Sequence, residues 1–180
     1  MGPLDATHSG ELDRLAEEQA ALREIATMLA RGAPARELFA TVAEQVARVL
    51  HVPVVSIVRY EDEQTASECA SYSQAGELFP VGARWSLDGT NVVRMVLDTR
   101  APARIDDYTG LYGQIAELCR GQGICSTVGI PIVVAGRVWG AMVVSSMEPD
   151  PLDEGTEARL ADFTELVATA IANTEARTEL

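Results

Sequence analysis

The run Gly123-Ile-Cys-Ser-Thr-Val-Gly-Ile-Pro-Ile-Val-Val134, followed by Ala135-Gly136-Arg137 and then Val138-Trp-Gly-Ala-Met-Val-Val-Ser-Ser146, decides the fold. Val, Ile, Thr and Trp favour a pleated, half-buried surface, and Gly136 can take the positive φ that a tight hairpin needs. Both arms are apolar at nearly every position, so both faces of the hairpin are expected to be covered. Pro131 cannot donate to a ladder and is expected at a bulge, or with its nitrogen turned away from the partner strand.

What surrounds the hairpin supplies the cover. Upstream, Glu11 to Arg31 reads as a helix, with Leu15, Leu22, Ile25 and Leu29 on one stripe. Residues 1–10 read as a disordered tail or a cloning scar. Gly32 stops the first helix and Pro34 suits the first turn of a second, which runs to about Leu50 with Leu38, Phe39, Val42, Val46 and Val49 on its apolar face. His51-Val52-Pro53 breaks it, and His51 reads as a helix-end residue facing terminal carbonyls. Strands follow at Val54–Tyr60 and Thr65–Ser73, the second less apolar and so nearer an edge or solvent. A loop rich in Gly and Pro leads to a short extended piece at Arg84–Leu87. A third helix runs from Asn91 to Thr99, with Asp88, Thr90 or Asn91 as its cap. A short strand over Ala101–Ile105 and a fourth helix over Tyr112–Arg120 deliver the chain to the hairpin. Downstream, Asp153 is a good N-cap for a long last helix to about Arg177, whose Leu160, Phe163, Val167 and Ala170 fall at three-four spacing.

This order predicts an α+β domain: an antiparallel sheet with the N- and C-terminal helices on one face and short helices and loops over a pocket on the other. The chain has 180 residues, enough for one domain with a full core. The net charge is −13, and all 14 basic residues are Arg. That balance argues against nucleic acid or anionic membrane as a partner, because both call for a basic patch. No apolar run approaches the roughly 20 residues of a membrane span, so no membrane insertion and a cytoplasmic location are expected. Cys69, Cys119 and Cys125 make no metal-binding spacing, and His8 and His51 stand far apart in sequence, so no metal site is expected. Neither a nucleotide-binding glycine box nor a phospho-accepting histidine motif is visible, so no catalytic residues are assigned and the chain by itself is expected not to be an enzyme.

Several strings resemble a GAF domain, a ligand-binding relative of the PAS fold. They are Ala43-Glu-Gln-Val-Ala-Arg-Val-Leu50, Val55-Ser-Ile-Val-Arg-Tyr60, Trp85-Ser-Leu-Asp-Gly-Thr-Asn91, Pro102-Ala-Arg-Ile-Asp-Asp-Tyr108, Ser126-Thr-Val-Gly-Ile-Pro-Ile132, Gly136-Arg-Val-Trp-Gly-Ala-Met142 and Ala161-Asp-Phe-Thr-Glu-Leu-Val-Ala-Thr-Ala-Ile-Ala-Asn173. The resemblance spans about residues 22–177 and is strongest to GAF modules of actinobacterial sensor histidine kinases. It implies a sensory input module of a two-component system, with a histidine kinase or other output domain as partner. Cyclic-nucleotide-binding GAF domains carry an Asn-Lys-Phe-Asp-Glu set, which a chain without lysine does not match. Bilin-binding ones attach their chromophore through a Cys usually followed by His. Here Cys119 precedes Arg120 and Cys125 precedes Ser126. Heme-binding ones need an axial His, and none lies after Val52. Bilin and heme are therefore disfavoured, and no cofactor is predicted. Free methionine sulfoxide reductases are also GAF domains, and Cys119 lies near the position of their reactive cysteine. A thiolate at Cys119 with Cys125 resolving is the enzymatic alternative.

The expected ligand site lies between the sheet and the third and fourth helices. Its candidate residues are Trp85, Asn91, Arg94, Asp106, Tyr108, Tyr112, Cys125 and Thr127. Arg94 can take an anionic group and Asn91 can read an amide. Four of them also have a purely structural reading: Trp85 and Tyr108 seal the core edge, Asn91 caps a helix, and Arg94 pairs with Asp98 one turn on. A third possibility is a ligand-free dimerisation and relay module. There Leu15, Leu22, Ile25 and Leu29 join Leu160, Phe163, Val167 and Ala170 in an intersubunit bundle of a homodimer, and Phe163→Glu is expected to give a monomer.

Overall fold

The computed structural model describes residues 3–178 and consists of one six-stranded antiparallel sheet with helices on both faces. The elements are α1 (Pro3–Ala30), α2 (Ala35–Leu50), β1 (Val54–Tyr60), β2 (Thr65–Ser73), β3 (Arg84–Ser86), α3 (Val92–Thr99), β4 (Ala103–Ile105), α4 (Gln114–Gly121), β5 (Ser126–Val134), β6 (Arg137–Ser146) and α5 (Thr156–Thr178). The strand order is β3-β2-β1-β6-β5-β4. The hairpin β5–β6 thus lies inside the sheet, with β1 on its far side, which explains why both of its arms are apolar on both faces.

The hairpin turn is Ala135-Gly136, with φ of 49° and 76°. Positive φ at both central residues is the type I′ geometry whose twist matches the strands. Pro131 pairs with Ala141 of β6. β4 pairs with β5 only from Thr127 to Gly129, so at Pro131 the other side of β5 is a free edge where no donor is missed.

The two faces of the sheet carry two separate cores. On one, α1, α2 and α5 cover Val55, Ile57, Ala70, Val128, Ile130, Met142 and Val144, with Phe163, Leu160 and Ile25 fully buried among them. On the other, α3, α4 and the loop before β3 cover Val54, Val58, Ala66, Ala141 and Val143. Gly129 lets α3 sit close: a Cβ there would stand 3.2 Å from Val96 and 3.3 Å from Val92.

Three sequence expectations are corrected. α1 begins at Pro3, so residues 3–10, read as a disordered tail, are helical, while Met1 and Gly2 lie outside the described residues. Proline suits a first helical turn, and Gly10 weakens a helix by only about 1 kcal/mol against Ala, too little to end it. Asp153 does not cap α5, which starts at Thr156 after a turn in which the Thr156 N–H donates to the Asp153 carbonyl. The terminal-helix stripes do not form a free dimer face either. Ile25, Leu160, Phe163, Val167 and Ala170 are buried in the protomer's own core, and Leu22 and Leu29 pack against it. A sheet with two apolar faces needs that stripe for itself. Of the expected interface set only Leu15 is largely exposed, at 47%, with Leu12 one turn before it at 63%.

Candidate functional site

Between the sheet and the α3/α4 layer lies a cavity of about 30 Å³, enough for one or two waters. Its floor is Ser56 and Val58 of β1, Glu68 of β2, Thr127 of β5, and Val143 and Ser145 of β6. Val92 and Val93 of α3 and Ile115 and Cys119 of α4 form the roof, and Phe79, Trp85 and Tyr108 close the sides. Phe79 and Trp85 meet edge to face with centroids 5.9 Å apart.

Two close-packed loops hold the roof. Gly89 and Gly113 both have positive φ, and their backbones cross so tightly that a Cβ on Gly89 would fall 1.9 Å from the Tyr112 carbonyl oxygen. The Thr90 N–H donates to that same carbonyl at 3.1 Å, and the Gln114 N–H donates to Asp88 Oδ1 at 3.2 Å. The starts of α3 and α4 are therefore fastened to one another over the cavity.

Glu68 is the centre of the site. It is 3% exposed. Its Oε2 accepts from Trp85 Nε1 at 3.1 Å, and its Oε1 is buried without a hydrogen-bond partner. Burial pushes the carboxyl up to about 8, with the nearby Ser56 hydroxyl and the Trp85 N–H acting the other way. Tyr108 Oη shares a hydrogen bond with Thr127 Oγ1, and burial holds the phenol above its usual range. Burial likewise pushes the Cys119 thiol up to about 11, against the lowering effect of a hydrogen bond with Tyr108.

The structure brings together Trp85, Tyr108 and Thr127 of the eight expected ligand residues. The other five stand elsewhere. Asn91 is buried as the N-cap of α3: its Oδ1 accepts from the Arg94 N–H at 2.8 Å and its Nδ2 donates to the Asp88 carbonyl at 3.3 Å. Arg94 points outward, pairing with Asp98 at 2.9 Å and donating to the Glu63 carbonyl at 3.0 Å. Asp106 is exposed and faces Arg104 at 3.4 Å. Tyr112 is 68% exposed. Cys125 is half-buried outside the cavity, its thiol donating to the Met147 carbonyl at 3.4 Å. Sequence reasoning missed Glu68, Ser56, Phe79 and Ser145. A glutamate between serine and cysteine on the less apolar strand carries no sign that it points inward.

Among the described residues no cluster of three or more His, Cys, Asp or Glu is placed to hold a metal ion, and no helix is long and apolar enough to cross a membrane. His51, exposed, ends α2 in the left-handed conformation with φ 53°, its backbone N–H donating to the Ala47 carbonyl.

A curled antiparallel sheet with a terminal-helix layer on one face and a small cavity under short helices on the other is an α+β architecture with one face built around a pocket. The GAF domain family model matches residues 34–171, and the chain belongs to the GAF family. Its fold is similar to that of the phycoerythrobilin-bound GAF domain of a cyanobacterial phytochrome, at 17% identity and TM-score 0.73 over 89% of this chain and 97% of that one. It is equally similar to the GAF domain of a phosphoenolpyruvate-protein phosphotransferase from Coxiella burnetii, at 20% identity and TM-score 0.73 over 92% and 98%. The corresponding Acinetobacter domain gives 21% identity and TM-score 0.70 over 91% and 98%. At these identities the likeness is one of fold. A comparison with curated protein sequences returned no match.

Proposed function

We propose that this GAF domain is the small-molecule-sensing input module of a bacterial two-component sensor histidine kinase, receiving its signal in the cavity under α3 and α4. The observation that carries the reading is the buried Glu68 carboxyl with one oxygen unpartnered in that cavity. A buried polar atom left without a partner costs about 1–3 kcal/mol, and a ligand that supplies the partner recovers it. The route outward is short. Ser56 of β1 and Ser145 of β6 line the cavity, while their neighbours Val55, Ile57 and Val144 pack under the terminal helices. A displacement of β1 thus reaches α2 directly, and one of β6 reaches α5 through its ladder partner β5. The kinase context rests on the resemblance of the strand and helix strings described above.

The bilin and phosphotransferase contexts belong to the similar proteins. In this chain neither Cys119 nor Cys125 is followed by His, and no His lies after Val52 to serve as an axial ligand, so we infer a ligand that is neither bilin nor heme. The reductase-like alternative has less support, because a buried thiol pushed up to about 11 is not a ready nucleophile. Native mass spectrometry and an absorption spectrum of protein purified without added ligand test the proposal. A copurified small molecule in the absence of a visible band supports it; a visible band overturns the exclusion of heme and bilin.

The second reading is a ligand-free relay that dimerises through the exposed start of α1. Leu12 and Leu15, 63% and 47% exposed, favour it. Under this reading Leu15→Glu converts a dimer into a monomer by light scattering, and the purified protein carries no extra mass.

A further inference from the structure

Resting on the cavity as a ligand site, we infer that its ligand is a small organic cation, an amine or amidine whose charged head is bound by the Glu68 carboxylate. Four observations converge on this chemistry. Oε1 of Glu68 is a buried acceptor with no donor, while Oε2 is already held by Trp85 at 3.1 Å. Trp85 therefore orients the carboxylate, the Ser56 hydroxyl stands near it, and Glu68 lines the cavity with its second oxygen outside hydrogen-bond distance of any donor. Among the described residues lining the cavity there is no Arg, Lys or His and no second carboxylate. An anion entering there would meet one acid and no base. Three aromatic rings, Phe79, Trp85 and Tyr108, form the sides, and an aromatic wall is compatible with a desolvated organic cation. Finally, the free space of about 30 Å³ is the size of a single ammonium or water, while valines and Ile115 make up most of the remaining wall. That space holds the charged head, and an apolar remainder as long as butyl has to part the α3/α4 layer from the sheet to follow it in.

Binding is linked to a proton. Ser56 on β1 and Trp85 on β3 act on Glu68 directly, and Cys119 on α4 and Tyr108 in the loop before it line the cavity with it; burial raises both of the latter, so they stay protonated at neutral pH. Cys69, next to it on β2, is pushed up to about 11 by burial, and no charged side chain lines the cavity with Glu68. Burial keeps much of the Glu68 carboxyl protonated at neutral pH as well. An ammonium ion then displaces that proton to solvent as the carboxylate–ammonium pair forms. Affinity for a cation should rise about tenfold per pH unit below the carboxyl's titration and level off above it.

The test uses three probes of one shape, n-butylammonium, n-butanol and n-butyrate, added to the whole chain and read by calorimetry and thermal shift. The expected result is binding of butylammonium alone, with about one proton released, seen as a dependence of the heat on the ionisation enthalpy of the buffer. E68Q, which keeps the acceptor for Trp85, should lose at least tenfold in affinity for butylammonium and lose the proton release. Butanol or butyrate binding as tightly as butylammonium, or E68Q binding butylammonium like the wild type, overturns the cation assignment while leaving the cavity as a ligand site. Failure of all three probes, together with protein that carries no copurified mass, removes the ligand site itself.

Discussion

Glu68 and Ala70 are two residues apart on one strand, yet their side chains enter opposite layers of the protein: Glu68 lines the cavity and Ala70 packs under the terminal helices. A regular strand would put both on the same face. The pairing shows the cause. Ile57 of β1 faces Ala70 and the next residue, Val58, faces Glu68, so Cys69 is an extra residue bulged out of the ladder. Bulges re-aim side chains in this way and are over-represented beside functional sites. Below the bulge Ala66 and Glu68 face the cavity layer; above it Ala70 and Tyr72 face the helices.

Burying that carboxyl makes stability depend on pH with a definite sign. The native Glu68 titrates at about 8 against an ordinary value of 4.5. Between those limits the folded state holds a proton that the unfolded state has released, so folding loses about 1.4 kcal/mol per pH unit as pH rises through the window. The contribution is complete below 4.5 and gone above 8. Glu68→Gln should flatten this slope and be more stable than wild type at the alkaline end. Urea midpoints across the window measure it, and parallel profiles for the two proteins would show that the carboxyl is not buried as described.

The terminal-helix stripe is core, so Phe163 answers for folding before assembly. It is fully buried, and Phe163→Ala should cost about 3–5 kcal/mol. Phe163→Glu should not yield a folded monomer at all. By contrast Leu15→Ala, on the exposed start of α1, should change monomer stability by no more than about 0.5 kcal/mol. Chemical denaturation separates the two positions.

At the hairpin turn Ala135 sits at φ 49°, a region that disfavours a Cβ. Ala135→Asn creates the Asn-Gly pair preferred at type I′ turns and should stabilise the domain by about 0.5–1 kcal/mol, raising the melting temperature by a few degrees. An unchanged or lower melting temperature would contradict the turn assignment.

The crossing of Gly89 with the Tyr112–Gly113 backbone admits no side chain. With a Cβ placed 1.9 Å from a carbonyl oxygen, Gly89→Ala must separate the loops that carry α3 and α4. A loss of about 2 kcal/mol or more is expected, with faster hydrogen exchange at the Thr90 amide, whose bond to the Tyr112 carbonyl spans the crossing.

Thiol chemistry offers an independent check on the cavity. Cys119 is 2% exposed and its thiol is held protonated, whereas Cys125 is half-buried at the end of α4's connection to β5. A disulfide reagent should modify Cys125 first. It should reach Cys119 only as the α3/α4 layer opens, and a ligand in the cavity should slow that second step further. Rapid modification of Cys119 in the folded protein would reopen the reductase-like reading.

The order and type of the elements were legible because they rest on local chemistry. The hairpin run with its Gly136 turn, the apolar stripes of α2 and α5, and the Gly32 and Pro34 signals between α1 and α2 each lie within a few residues, and each acts through backbone preference or period. The same patterning placed three of the cavity residues, Trp85, Tyr108 and Thr127, because aromatic and β-branched residues close to helix ends and strand starts seldom have anywhere else to pack. What the sequence determined alone, then, was the α+β framework and the side of the sheet on which a pocket would form. Only the tertiary structure decided the polar chemistry of that pocket. Arg94 and Asn91 had local partners, Asp98 and the start of α3, that took them out of it. Glu68 was turned into it by one bulged residue, and a bulge is a property of how two strands pair, which neither strand records by itself.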